Sequence, residues 1–266
     1  MKYINFLLAL LFMASCSSKQ SKSLVLYYSQ TGTTQAVAEG IQRLTGADIE
    51  RFDVANPYAG SYAETIQRCQ EEMQSGTLPR VNPIKADLSE YDVIYLGYPI
   101  WFGTCARPML GLLDAYDFSG KKIVPFCTFG SGGLVESTKN IRELLPQANV
   151  AEGYGVRTAR VAAIPEEVNR FLVLNGYIDG EVEAYADYSE QVPVTEETAA
   201  IFNEACSSYQ FPLGTPTTVG ARQTSKGMDY RFVATSSTPD GTTSESVILV
   251  TVQDGQKPEF TQVIRN

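Results

Sequence analysis

The most constraining feature of this chain is the stretch Leu24-Val25-Leu26-Tyr27-Tyr28-Ser29-Gln30-Thr31-Gly32-Thr33-Thr34. Residues of β-type sequence run into a small, hydroxyl-rich loop. A helix then opens, because Val37, Ile41 and Leu44 recur at helical spacing. A strand, loop and helix in that order leave unpaired backbone N–H groups at the helix mouth, where they favour an anion. Ser29, Thr31, Thr33 and Thr34 add hydroxyl donors, and Gly32 lets the backbone turn tightly. The loop holds no Lys or Arg, and it matches neither G-x-x-x-x-G-K-[ST] nor G-x-G-x-x-G. The expected object is a cradle that binds phosphate through neutral dipoles. The plainer reading is a helix N-terminus capped by threonines.

The rest of the first two-thirds repeats the same unit. Residues 47–54 read as a second strand, followed by a polar helix over about 61–73. Val93-Ile94-Tyr95-Leu96 is a continuous apolar run, as in a parallel strand buried on both faces. It leads into Gly97-Tyr98-Pro99-Ile100-Trp101-Phe102-Gly103, and Arg107-Pro108 opens the next helix. Residues 121–127 read as the fourth strand, with a local break expected at Pro125, since a central strand needs that N–H. Thr128-Phe129-Gly130-Ser131-Gly132-Gly133 is another loop at a strand end, and the helix after it carries Leu134, Ile141, Leu144 and Leu145. Residues 150–156 are expected as the fifth strand and 165–174 as the fifth helix. Such β-α repetition predicts a doubly wound α/β fold with a five-stranded parallel sheet. The three glycine- and hydroxyl-rich loops all fall at strand C-termini, where open parallel sheets bind ligands.

Ser29–Thr34, Gly97–Gly103 and Thr128–Gly133, with the Phe118-Ser119-Gly120-Lys121-Lys122 lead-in to the fourth strand, resemble a flavodoxin. The similarity is to the short-chain flavodoxin-like group bearing a G-Y-P-I-W loop, and it covers about residues 23–175. It implies FMN. The phosphate is then expected on Ser29, Thr31, Gly32, Thr33 and Thr34, with Gln30 in the same loop. The flavin ring is expected between the second loop (Tyr98, Pro99, Ile100, Trp101, Phe102, Gly103) and the third (Thr128, Gly130, Ser131, Gly132, Gly133). Trp101, Phe102 and Tyr98 are the aromatic candidates for the ring's faces. The alternative for Trp101 is a packing plug, and the alternative for Tyr98 is the last strand residue, facing the core. A cradle without cations in an acidic protein leaves the phosphate unneutralised, which opposes the addition of negative charge. Low-potential, one-electron behaviour is the expectation.

Composition excludes several alternatives. The net charge is −9, which argues against nucleic acid and anionic lipid surfaces as partners. No histidine is present, which removes Ser-His-Asp and Cys-His catalysis and the usual zinc sites. No catalytic residue or metal site is expected. At the N-terminus, Lys2 and the apolar run over residues 4–13 match a signal peptide that is too short to span a bilayer. Met13-Ala14-Ser15-Cys16 resembles the bacterial lipoprotein box. That resemblance implies cleavage before Cys16 and lipid on its thiol and amine, with residues 17–23 as a polar tether. The alternative is an ordinary signal peptide cut nearby. The expected location is the cell envelope, lipid-anchored to the outer membrane and facing the periplasm. Cys69, Cys105, Cys127 and Cys206 form no C-x-x-C pair, and Cys127 reads as a buried small hydrophobe.

Beyond the repeats the pattern changes. Residues 177–194 are acidic and aromatic and read as a linker or wrap. Thr195 caps an amphipathic helix with Ile201, Phe202 and Ala205 inward. Strands are expected over 230–234, 247–252 and 260–264, with Asp240-Gly241 and Asp254-Gly255 as turns. This small α+β module, a helix and an antiparallel meander over 195–266, is expected to fold apart from the first domain and not to carry the flavin. Gln223-Thr224-Ser225-Lys226-Gly227 with Tyr230 weakly resembles the Q-x-V-x-G loop of the cystatin-like fold, with Ser225 in place of the central Val. Three function classes follow: an FMN electron carrier with a redox protein partner, an FMN-dependent reductase of quinone or another small acceptor, and a flavin-free binding protein.

Overall fold

The computed structural model describes residues 21–237 and 241–265. The signal segment, Cys16, most of the tether and Asp240 lie outside the described residues. The first domain builds one sheet from β1 (Ser23–Tyr27), β2 (Asp48–Arg51), β3 (Val93–Trp101), β5 (Lys122–Phe129) and the pair β6 (Asn149–Val150) and β7 (Tyr154–Arg157). The parallel order is β2-β1-β3-β5, with β6 and β7 sharing the fifth position beside β5. A two-residue antiparallel strand, β4 (Thr104–Cys105), folds back on the end of β3.

Alternation along the strands sends side chains to two cores. Val25, Tyr27, Tyr95, Val124 and Phe126 meet α1 (Thr33–Thr45) and α5 (Ile164–Leu174) through Val37, Ile41, Val168 and Leu172. Leu24, Leu26, Ile94, Leu96 and Ile123 meet α3 (Arg107–Ala115) and α4 (Leu134–Leu144) through Met109, Leu112 and Ile141. The sheet is therefore covered on both faces, as the sequence predicts. Gly97 has a packing reason: a Cβ there would sit 2.1 Å from the Phe126 ring.

Two strand expectations need correction. β5 runs unbroken through Pro125, and the break falls on its neighbour instead. Ile123 pairs with Val150 and Phe126 with Tyr154, so β6 and β7 stop on either side of the proline that has no N–H to offer. The second strand is shorter than residues 47–54: beyond Arg51 the chain turns to pair with the 80–82 segment, through an Ala55 N–H to Arg80 carbonyl bond and a Val54–Val81 bridge.

The C-terminal module has its own antiparallel sheet, in the order β12-β11-β10-β9-β8. Its strands are β8 (Val192–Pro193), β9 (Thr215–Thr224), β10 (Gly227–Ser237), β11 (Thr243–Gln253) and β12 (Glu259–Arg265). Helix α6 (Glu196–Cys206) starts at a capping box between Thr195 and Thr198 and lays Phe202 on Phe232, with ring centroids 5.2 Å apart. β9 escapes the sequence reading, and the Gln223–Gly227 segment is the turn joining it to β10. The 177–194 segment is stitched to both parts. Arg170 stacks 3.4 Å from the Tyr185 centroid, the Ser189 N–H donates to the Ala221 carbonyl, and Glu183 accepts the Ser225 N–H at 2.8 Å.

Candidate functional site

Strand order reverses between β1 and β3, so the loops after them diverge at the C-terminal edge of the sheet and leave a crevice. A cavity of about 570 Å³ opens there, within the usual size of a small-molecule site. Gln30, Thr31 and Thr34 come to it from the first loop, Pro99, Ile100, Trp101 and Phe102 from the second, and Thr128 and Gly130 from the third. No lining residue is charged.

The first loop is closed from within. Ser29 is buried, and its Oγ accepts the N–H groups of Gly32 (3.1 Å) and Gln35 (3.3 Å). Gly32 has φ of +92°, the left-handed turn that starts α1. Among the described residues, the N–H groups of Gln30, Thr31, Thr33 and Thr34 have no acceptor in the protein. That is the donor set an anion needs at a helix mouth. Thr34 and Thr128 share a hydrogen bond at 2.8 Å between their hydroxyls, which pins the first loop to the third. The Gln30 amide is latched, taking the Tyr28 hydroxyl proton at Oε1 and donating to the Tyr58 carbonyl.

The second loop is a hairpin in which Trp101 pairs with Thr104 around Phe102 and Gly103. Both turn residues have positive φ, +50° and +81°, as a two-residue hairpin of this hand requires. Phe102 is the one non-glycine in that region among the described residues, and half of its surface is exposed at the cavity rim. Trp101 is held edge-on by Tyr28 (6.0 Å) and Tyr58 (5.0 Å). Tyr58 is fixed in turn: its hydroxyl donates to Glu72, and the Arg68 guanidinium lies 3.7 Å over its ring while donating to Glu72. Burial and the Glu72 carboxylate push the Tyr58 phenol well above its ordinary value, so it stays a donor. Burial likewise raises Tyr28 to about 12 and the lining thiol of Cys69 to about 11.

Several expected residues lie elsewhere. Tyr98 is fully buried on the α4 side, with its hydroxyl hydrogen-bonded to Ser137, and offers no face to the cavity. It shares strand parity with Leu96, which faces the same core. Ser29 shapes its loop from behind, and Gly32 and Thr33 belong to that turn without lining the cavity. Gly103 faces a second cleft together with Gly132 and Gly133. Ser131 accepts the Val263 N–H at 2.8 Å through its carbonyl, and a Cβ on Gly132 would sit 1.9 Å from the Val263 carbonyl. The back of the third loop is therefore occupied by β12.

The sequence reading missed one wall entirely. Gly60, Tyr62, Thr65, Ile66 and Cys69 enter from the start of α2 (Tyr62–Ser75), and Phe129 and Thr158 complete the rim. The signal was present in Ser61-Tyr62-Ala63-Glu64, a capping box that closes with Ser61 and Glu64 each bonding the other's backbone. A helix that starts after a parallel strand opens at the same edge of the sheet as the loops. Among the described residues no acidic or thiol cluster could hold a metal, and no helix is long and apolar enough to cross a membrane.

A family model described as Flavodoxin matches residues 22–167. A flavodoxin of Synechococcus elongatus is 24% identical over 166 residues, which cover 60% of this chain and 75% of that protein. An NAD(P)H dehydrogenase (quinone) of Cupriavidus metallidurans is 33% identical over 99 residues, 35% of this chain and 46% of that relative's length. The crystal structure of a candidate flavoprotein from Bacteroides eggerthii aligns with a TM-score of 0.52 at 28% identity, covering 58% of this chain and 97% of that one.

Proposed function

The chain belongs to the flavodoxin family, and from that premise we propose that it binds FMN in the uncharged cavity and carries electrons to a redox partner. The observation that carries this reading is the cradle itself: free N–H groups at Thr31, Thr33 and Thr34 beside a cavity with aromatic walls. Bound FMN supplies the redox chemistry, and the protein supplies binding, orientation and electrostatics. The first loop would hold the phosphate by N–H and hydroxyl dipoles. Trp101, braced by Tyr28 and Tyr58, presents a flat wall for a ring, and Phe102 and Tyr62 shield its edges from water. With no cation among the lining residues, the site does not offset the phosphate charge, which favours low-potential, one-electron behaviour.

The test replaces Thr33 and Thr34 with Glu, which puts negative charge and volume where the phosphate belongs. FMN affinity should fall by tenfold or more, while riboflavin, lacking the phosphate, loses only the smaller amount that breaking the Thr34–Thr128 bond costs. Unchanged FMN affinity with weakened riboflavin binding would show that the phosphate lies elsewhere. A second reading is a quinone reductase, favoured by the quinone dehydrogenase relative. Steady-state turnover with NAD(P)H and a quinone separates it from a carrier. Lipidation of Cys16 would place the protein on a bacterial envelope membrane, and Cys16→Ser should then release it into the soluble fraction.

A further inference from the structure

The C-terminal module meets the third loop through specific contacts. Arg157, the last residue of β7, stands beside Phe129 in register. Its Nε donates to the Gly130 carbonyl at 2.8 Å, and its Nη1 donates to the Phe260 carbonyl of β12 at 2.7 Å. The guanidinium also lies 4.1 Å from the Phe260 ring centroid. One residue further along the third loop, the Ser131 carbonyl takes the Val263 N–H, and Gly132 leaves room for the Val263 carbonyl. Arg160, buried, joins Glu167 of α5 at 2.7 Å to Glu259 of β12 at 2.9 Å. Gly130 lines the cavity, as does Thr158, the neighbour of Arg157. A single side chain thus bonds the cofactor loop with one nitrogen and the module with another.

We propose that Arg157 is a positioning residue that couples FMN binding to docking of the C-terminal module, so that each event strengthens the other. The proposal rests on the FMN reading above. The third loop needs a defined shape at Gly130 to complete the cavity, and two of its carbonyls are held from behind, that of Gly130 by Arg157 and that of Ser131 by the Val263 N–H of β12. Docking of β12 fixes the loop, and a ligand against the loop's front holds the same conformation. Coupling of this kind is reciprocal by thermodynamic necessity. Losing a charge-assisted hydrogen bond that holds the loop in its binding shape costs roughly tenfold in affinity.

The experiment uses the full chain, with FMN affinity from fluorescence quenching and hydrogen exchange across β12 with and without FMN. Arg157→Ala removes the bridge from the first domain. Val263→Pro removes the Ser131 bond from the module side; its N–H points away from β11, so the β11–β12 ladder has no need of it. FMN should slow exchange over residues 259–265 in the unsubstituted chain. Each variant should bind FMN about tenfold more weakly and lose that FMN-dependent slowing, and Arg157→Lys should recover part of both. Far-ultraviolet circular dichroism checks folding, and a variant that misfolds leaves the other, acting from the opposite side, to decide. FMN uptake with unchanged affinity in the variants, or with no FMN-dependent change at β12, overturns the coupling alone. No uptake by the unsubstituted chain overturns the FMN reading and the coupling together.

Discussion

Phe102 shows what single residues contribute here. A bulky side chain in the left-handed region costs about 1–2 kcal/mol, and Phe102 keeps that conformation while half exposed at the cavity rim. Strain kept at the rim marks Phe102 as a candidate to contact a ligand there. Phe102→Asn should therefore leave stability unchanged or raise it by up to ~1 kcal/mol, because Asn tolerates this backbone region. The same change should weaken FMN binding several-fold. Thermal melts and FMN titration of the one variant check both signs, and a destabilised protein with intact affinity would contradict the reading. At this scale the sequence was legible where local chemistry decides and illegible where tertiary partners do. The hydroxyls and Gly32 of the first loop could be seen directly. Tyr98 could have been assigned by counting alternation from Leu96. Gly132 could not, because what fills the space beside it comes from Val263, more than a hundred residues later.

Among the elements, α2 carries a functional consequence that its polar sequence hides. Its first turns form one wall of the cavity, and its start is fixed by the Ser61–Glu64 capping box. Ser61→Ala should cost about 1 kcal/mol of stability and loosen the Gly60–Tyr62 rim, lowering FMN affinity. Hydrogen bonds from Ser61 hold the Glu64 carboxyl below its ordinary value. A depressed carboxylate contributes stability above its unfolded pKa and loses it as pH falls through the folded value. The stability gap between wild type and Glu64→Gln, which removes the titrating carboxylate that the Ser61 N–H bonds, should therefore be full at neutral pH and shrink in acid, as denaturant titrations at the two pH values will show. Strands with apolar runs, such as β3 and β5, were readable from composition alone. β9 was not: Thr215-Pro216-Thr217-Thr218 has no apolar alternation, and its strand is made by pairing along β10. Pro125 is a problem for a sheet by its missing N–H, but which strand yields depends on the neighbour.

On the scale of the whole molecule, two sheets of different kinds meet at the third loop. The β-α repetition and the later helix-and-meander pattern were visible in the sequence as a change of rhythm. Their meeting was not, because Arg157, Arg160 and Val263 carry no motif and act only through partners in the other sheet. The separateness expected of the module is accordingly incomplete: its core is its own, but β12 forms the back of the third loop. The acidic chain also surrounds its cavity with neutral walls, so affinity for a phosphorylated flavin has to come from dipoles instead of counter-charges. Dipolar binding is screened far less by salt than an exposed ion pair. The direct test is a fluorescence titration of the purified chain with FMN and with riboflavin, at low and at high ionic strength. The account predicts one FMN per chain, bound more tightly than riboflavin, with an affinity nearly independent of salt. Equal affinity for the two flavins, or FMN binding that collapses as salt is raised, would contradict a neutral phosphate cradle at Ser29–Thr34.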